Sequence, residues 1–139
     1  MEENRSPELE LVTELASLLR KHGDVSVEYV TAEMQPFTNQ FKPDILFSPT
    51  LGGYSRQKIF IEIKLKLKNM GVFIKTLPAH KEFAEEYMEI PITKYVFATS
   101  IGIDELTSKR LENIGITALT GISTAKEIFD SLEKLNFLR

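Results

Sequence analysis

Three residues stand out by type and spacing: Asp44, Glu62 and Lys64. Hydrolysis of a phosphodiester with a hard cation needs clustered carboxylate oxygens, a positioned water, and a positive group near the charge that builds on phosphorus. Glu62 and Lys64 lie in a stretch that alternates from Lys58 to Lys68. Ile59, Ile61, Ile63, Leu65 and Leu67 take one side, and Phe60, Glu62, Lys64, Lys66 and Lys68 the other. Side chains alternate along a strand, so Glu62 and Lys64 point the same way. Asp44 opens a shorter run, Asp44 to Phe47, and Gly52-Gly53 between the two runs reads as a hairpin turn. Pairing through that turn would bring both carboxylates to one sheet face. The backbone carbonyl of Ile63 lies between Glu62 and Lys64 as a further oxygen ligand.

The elements that must position these residues can be read along the chain. A helix is expected over 7–22: Ser6 can cap it, Pro7 suits the first helical position, and Gly23 follows its end. Leu11, Val12, Leu15, Leu18 and Leu19 give it one apolar stripe. A strand follows with Val25, Val27 and Tyr29 alternating against Ser26 and Glu28, then a polar loop from Gln35 to Lys42. After the hairpin, a helix is expected over 78–89 with Phe83, Ala84 and Tyr87 inward, followed by a buried strand over 95–98. The tail reads as helix 105–113, strand 116–119 and helix 125–136, the last with the capping-box spacing of Thr124 and Glu127. No repeat or linker divides the 139 residues, which make one α/β domain. The order αβββαβ plus αβα implies a central mixed sheet with helices on both faces.

Pro43-Asp44, seventeen residues, then Glu62-Ile63-Lys64 resembles the signature of the restriction-endonuclease-like PD-(D/E)xK nucleases, whose core is also αβββαβ. The match runs over about residues 6–99. The stretch from Glu14 to Gly23 is similar to the first helix of archaeal Holliday-junction resolvases. The resemblance implies that Asp44 and Glu62 bind Mg²⁺ (or Mn²⁺ in its place) and that Lys64 orients the attacking water or stabilises transition-state charge. It implies a metal-dependent endonuclease acting on DNA. Many members also carry a glutamate on the inner side of the first helix. Here Val12 holds the most natural position, and Glu8, one turn earlier on the same stripe, is the best candidate. An acid in the first turn interacting with the helix dipole is the alternative for Glu8. Glu10 and Glu14 lie on another face and are expected in solvent.

Net charge is −3, but the window from Arg56 to Lys81 is +6 and the rest −9. Such separation can focus a positive field on a phosphate backbone, with Lys66, Lys68 and Lys75 as phosphate contacts and Thr38, Asn39 and Gln40 beside them. A solvated lysine face, or lysines guarding an edge strand, explains the charge equally well. His22 and His80 are expected at the surface, and Phe83 and Tyr87 in the core. With no cysteine, disulfides and thiolate metal sites are excluded. No run is long enough to span a bilayer and no leader-like segment is visible, so a cytoplasmic protein is expected. Two readings compete with a DNA endonuclease: a nuclease for RNA, and a non-catalytic nucleic-acid- or partner-binding module that keeps the fold. A chain this small would suit a homodimer presenting two sites to two strands.

Overall fold

A computed structural model describes residues 7–27, 44–49, 58–65, 69–88 and 94–138, with backbone alone at 83, 84 and 86–88. In chain order the elements are α1 (Pro7–Leu19), β1 (Gly23–Val27), β2 (Ile45–Pro49), β3 (Ile59–Ile63), α2 (Met70–Met88), β4 (Lys94–Ala98), α3 (Glu105–Asn113), β5 (Ile116–Leu119) and α4 (Ala125–Lys134). The order is the one expected, αβββαβ followed by αβα, an α/β fold. The cap at Ser6, Tyr29, the Gly52-Gly53 turn, and the side chains of Phe83, Ala84 and Tyr87 lie outside the described residues.

The five strands form one sheet in the order β1-β2-β3-β4-β5. β1, β2 and β3 pair antiparallel, whereas β3, β4 and β5 pair parallel. Each parallel pairing needs a crossover, and the chain advances across the sheet in one direction, so uniform handedness puts both crossover helices on one face. There α2 and α3 cover Phe60, Tyr95, Phe97 and Ile116 with Leu77 and Leu111. α1 and α4 cover the opposite face, where Leu15, Leu19, Ile128 and Leu132 meet Ile45, Phe47, Ile61 and Val96. α4 starts with the anticipated capping box: Thr124 accepts from Glu127 N–H, and the Glu127 carboxylate accepts from Thr124 N–H. No helix among the described residues is long and apolar enough to cross a membrane.

α1 and α4 end earlier than expected, at Leu19 rather than His22 and at Lys134 rather than Asn136, and two further differences bear on the site. α2 begins at Met70, two turns before Pro78, which sits inside the helix rather than at its first position. Proline in a helix interior removes a hydrogen bond and crowds the preceding turn. The stripe Phe73, Leu77 and His80 explains why the helix runs on regardless, since it fastens this turn to the sheet. Pro78 itself is exposed, where water can reach the freed carbonyl. β3 in turn ends at Ile63 instead of continuing to Lys68. The cause lies in the site described next.

Candidate active site

Glu62 is the fourth residue of β3 and faces α2 and α3 with Phe60. Asp44 immediately precedes β2. The pairing Ile45↔Ile61 and Leu46↔Phe60, continued by one step, sets Asp44 opposite Glu62. Directly opposed residues of antiparallel strands share a face. The Asp44 carboxylate turns to the neighbouring backbone, its Oδ2 accepting from Ile63 N–H at 2.6 Å.

The three consecutive N–H groups at the end of β3 go to three different elements. Ile63 N–H donates to Asp44, Lys64 N–H to the Ala98 carbonyl of β4 at 3.0 Å, and Leu65 N–H to Glu8 Oε2 of α1 at 3.0 Å. The Ser100 hydroxyl, just beyond β4, donates to the Leu65 carbonyl. A strand whose donors are claimed by a carboxylate, a parallel neighbour and a helix cannot keep one ladder, so regular pairing stops at Ile63. The same bonds hold Lys64 in strand-like alternation, and its Nζ stands 3.7 Å from Glu62 Oε2. The other oxygen of Glu62, Oε1, accepts from the Tyr95 hydroxyl at 3.3 Å.

The electrostatics follow from burial. Glu62 is only 4% exposed, and its pKa is pushed up to about 8 by desolvation first and by the charge of Asp44 next; Lys64 and the Tyr95 hydroxyl pull it down. Asp44 keeps some surface as a residue, but its carboxyl is sunk in protein. Desolvation raises its pKa to about 6, against the opposing pull of Lys64 and the Ile63 N–H. The negative charge of Glu8 raises both. Tyr95 is raised well above its ordinary value by burial and the Glu62 charge.

The structure therefore brings together Asp44, Glu62, Lys64 and Glu8, with Ile63 between them. Glu10 and Glu14 are exposed, as expected. Lys75 is an exposed residue of α2 that lines a separate groove against α3. Thr38, Asn39, Gln40, Lys66 and Lys68 lie outside the described residues. The histidine expectations are corrected. His80 is 8% exposed, edge-on to Phe73 at 5.2 Å, with Nε2 3.3 Å from Thr76 Oγ1. It is buried because the early start of α2 places it on the inner stripe, and desolvation with the Lys64 charge lowers its pKa to about 4. His22 is half-covered, its ring 5.3 Å from that of Phe129.

Sequence reasoning missed Tyr95 as a partner of Glu62. Its signal was a polar-tipped aromatic in an otherwise apolar buried strand, since a buried phenol needs a hydrogen-bond partner. Only the parallel register Phe60↔Tyr95 shows that the partner is Glu62, on the same face.

Magnesium usually keeps several waters and takes only one or two protein carboxylates besides substrate phosphate. Among the described residues, no three histidine or acidic side chains stand close enough to hold a metal ion unaided. Two buried carboxylates that repel each other, beside a backbone carbonyl, fit that sparse oxygen set. A divalent cation would offset the desolvation that chiefly raises both pKa values and the Asp44 charge that raises that of Glu62 further.

No family model and no curated protein matches the chain. Among solved structures, the small subunit (R.BspD6I2) of the heterodimeric restriction endonuclease R.BspD6I is similar over 91% of this chain and 75% of its own. Sequence identity is 17% and the TM-score 0.49, a likeness too loose to carry functional inference.

Proposed function

We propose that this chain is a metal-dependent phosphodiesterase acting as an endonuclease on DNA. The observation that carries the reading is the buried set in which Asp44 stands opposite Glu62 while the Lys64 ammonium lies 3.7 Å from Glu62. Asp44, Glu62 and the Ile63 carbonyl are the groups that would hold Mg²⁺, with Mn²⁺ as a substitute. When bound, the cation would polarise the scissile phosphate and lower the pKa of water. The chain's own residues do the rest. Lys64 orients the attacking water and opposes negative charge on the phosphate. Tyr95 fixes one oxygen of Glu62, and Glu8 holds the backbone after Lys64, so the ammonium keeps its direction.

A cleavage panel over linear, supercoiled, single-stranded and branched DNA and over RNA, with Mg²⁺ or Mn²⁺, tests this. Asp44→Ala and Glu62→Ala should each lower cleavage at least ~1000-fold, about 4 kcal/mol of barrier, and weaken Mn²⁺ binding while the circular dichroism spectrum is kept. Lys64→Ala should lower turnover with metal affinity retained or raised, because a positive charge beside the cation is gone. Equal loss of affinity in all three variants would give Lys64 a structural role instead.

One observation favours a second reading, a non-catalytic binding module. Both oxygens of Glu62 and Oδ2 of Asp44 face protein partners, contacts that a cluster with a purely structural role would also make. Binding of DNA or RNA without cleavage of any substrate in the panel would select it.

A further inference from the structure

The face of α2 and α3 turned away from the sheet carries a groove that the proposed hydrolytic site does not use. Its larger part, about 520 Å³, lies between Ile74 and Pro78 of α2 and Leu111 and Ile114 of α3. It continues past Pro78 and Ile114 into a smaller hollow of about 270 Å³. The lining is largely apolar, with Met70, Ile74, Pro78, Ile103, Leu111 and Ile114, and Ile114 is 44% exposed. Apolar surface gathered on one face marks an interaction site more than the same residues scattered singly.

Charge is distributed unevenly along the groove. Lys75 and Arg110 flank the larger end. Asp104 is there too, capping α3 by accepting from Thr107 N–H at 2.8 Å, but the two cations outnumber this one acid, so this end is net positive. Glu82 and Glu85 flank the smaller end with Lys81, which is drawn to Glu85 at 3.5 Å, so that end is net negative. The apolar waist of Pro78 and Ile114 is shared by both parts. A patch with opposite charge at its two ends is complementary to itself when turned end over end. A two-fold axis across the waist sets the basic end of one copy against the acidic end of the other. A parallel arrangement would set like against like and be disfavoured.

We propose that two copies of this chain associate through this groove, α2 and α3 of one antiparallel to those of the other, with Lys75 of each copy facing Glu82 of its mate. Exposed Ile114, with exposed Pro78 beside it at the waist, supplies the apolar contact that a stable interface needs at its centre.

The test is sedimentation velocity over a concentration series, with the unaltered chain, Lys75→Glu and Glu82→Lys. Both positions are exposed, and thermal melts would verify that each variant folds. The unaltered chain should form dimers. Each single reversal places like charges at two symmetric contacts and should weaken dimerisation at least about tenfold. An equimolar mixture of the two variants should dimerise again, because each then meets its opposite charge. The proposal falls if the unaltered chain stays monomeric, if either reversal dimerises as it does, or if the mixture fails to recover. A monomer that binds labelled duplex through Lys75 and Arg110 would make the groove a nucleic-acid surface and would likewise reject the proposal. Asp44, Glu62 and Lys64 are intact in every species, so this outcome is independent of whether the chain cleaves DNA.

Discussion

Ile61 and Glu62 are neighbours on β3 and both are buried, yet they face two differently built halves of the molecule. Ile61 enters the layer under α1 and α4, whose core cluster is aliphatic and aromatic, with His22 at its margin beside Phe129. Glu62 enters the layer under α2 and α3, where Phe60, Tyr95 and Phe97 share space with an ionisable carboxyl and with His80. Ser48, whose hydroxyl accepts from Lys58 Nζ at 3.0 Å, falls on this second side by strand alternation from Leu46. The first layer is held by burial of apolar area. The second gives up some of that stabilisation to keep groups able to carry charge out of water, a usual sign of a functional site. One strand thus serves as packing on one face and as chemistry on the other.

The comparison breaks most visibly through the pair itself. Ile61→Ala should destabilise the fold by about 2–5 kcal/mol through lost burial and a residual cavity, read from urea denaturation in a chelating buffer. Glu62→Gln in the same buffer should act in the opposite sense, stabilising by roughly 1–3 kcal/mol once Glu62 would be ionised. A loss of stability in Glu62→Gln at high pH would mean that the charged form is the better satisfied one.

The unaltered chain should show this as a pH dependence. A carboxyl whose pKa is raised in the fold contributes stability below its unfolded value, and that stability is lost as pH rises through the folded value. For Asp44 the window runs from about 4 to about 6, and for Glu62 from 4.5 to about 8. His80, lowered to about 4, works oppositely: its stability is present above about 6.5 and lost as pH falls. Between pH 6.5 and 8 Glu62 dominates, so metal-free stability should fall across that interval. Mg²⁺ should flatten the decline, and Asp44→Ala should reduce the flattening. A profile indifferent to Mg²⁺ would count against the metal site.

Smaller effects sharpen the contrast. Tyr95→Phe removes the donor to Glu62 and should cost about 1 kcal/mol, and it should move the upper edge of the pH window higher, since that hydrogen bond holds the Glu62 pKa down. Thr124→Ala, at the cap of α4 on the apolar side, should also cost about 1 kcal/mol but leave the pH profile unchanged. A shifted profile in Thr124→Ala would show that the two layers are coupled.

The order of elements, the alternation that puts Glu62 and Lys64 on one side of β3, and the cap at Thr124 were legible in the residues alone. These depend on neighbours within one or two turns or on strand period, and residue types record them directly. The bounds of α3 and β5 were legible for the same reason. Tertiary structure decided what depends on distant partners. The alternation from Lys58 to Lys68 carries no mark of where pairing stops, because β3 ends where Asp44, Ala98 and Glu8 each take one of its N–H groups. A helix start before Pro78 was hidden because local chemistry disfavours proline there, and only packing on the sheet outweighs that cost. Glu8 could serve the site or simply meet the dipole of its own helix, and periodicity does not separate the two. The entry of α1 beside the end of β3 brings the Glu8 carboxylate to the Leu65 N–H, a contact that only the tertiary arrangement reveals.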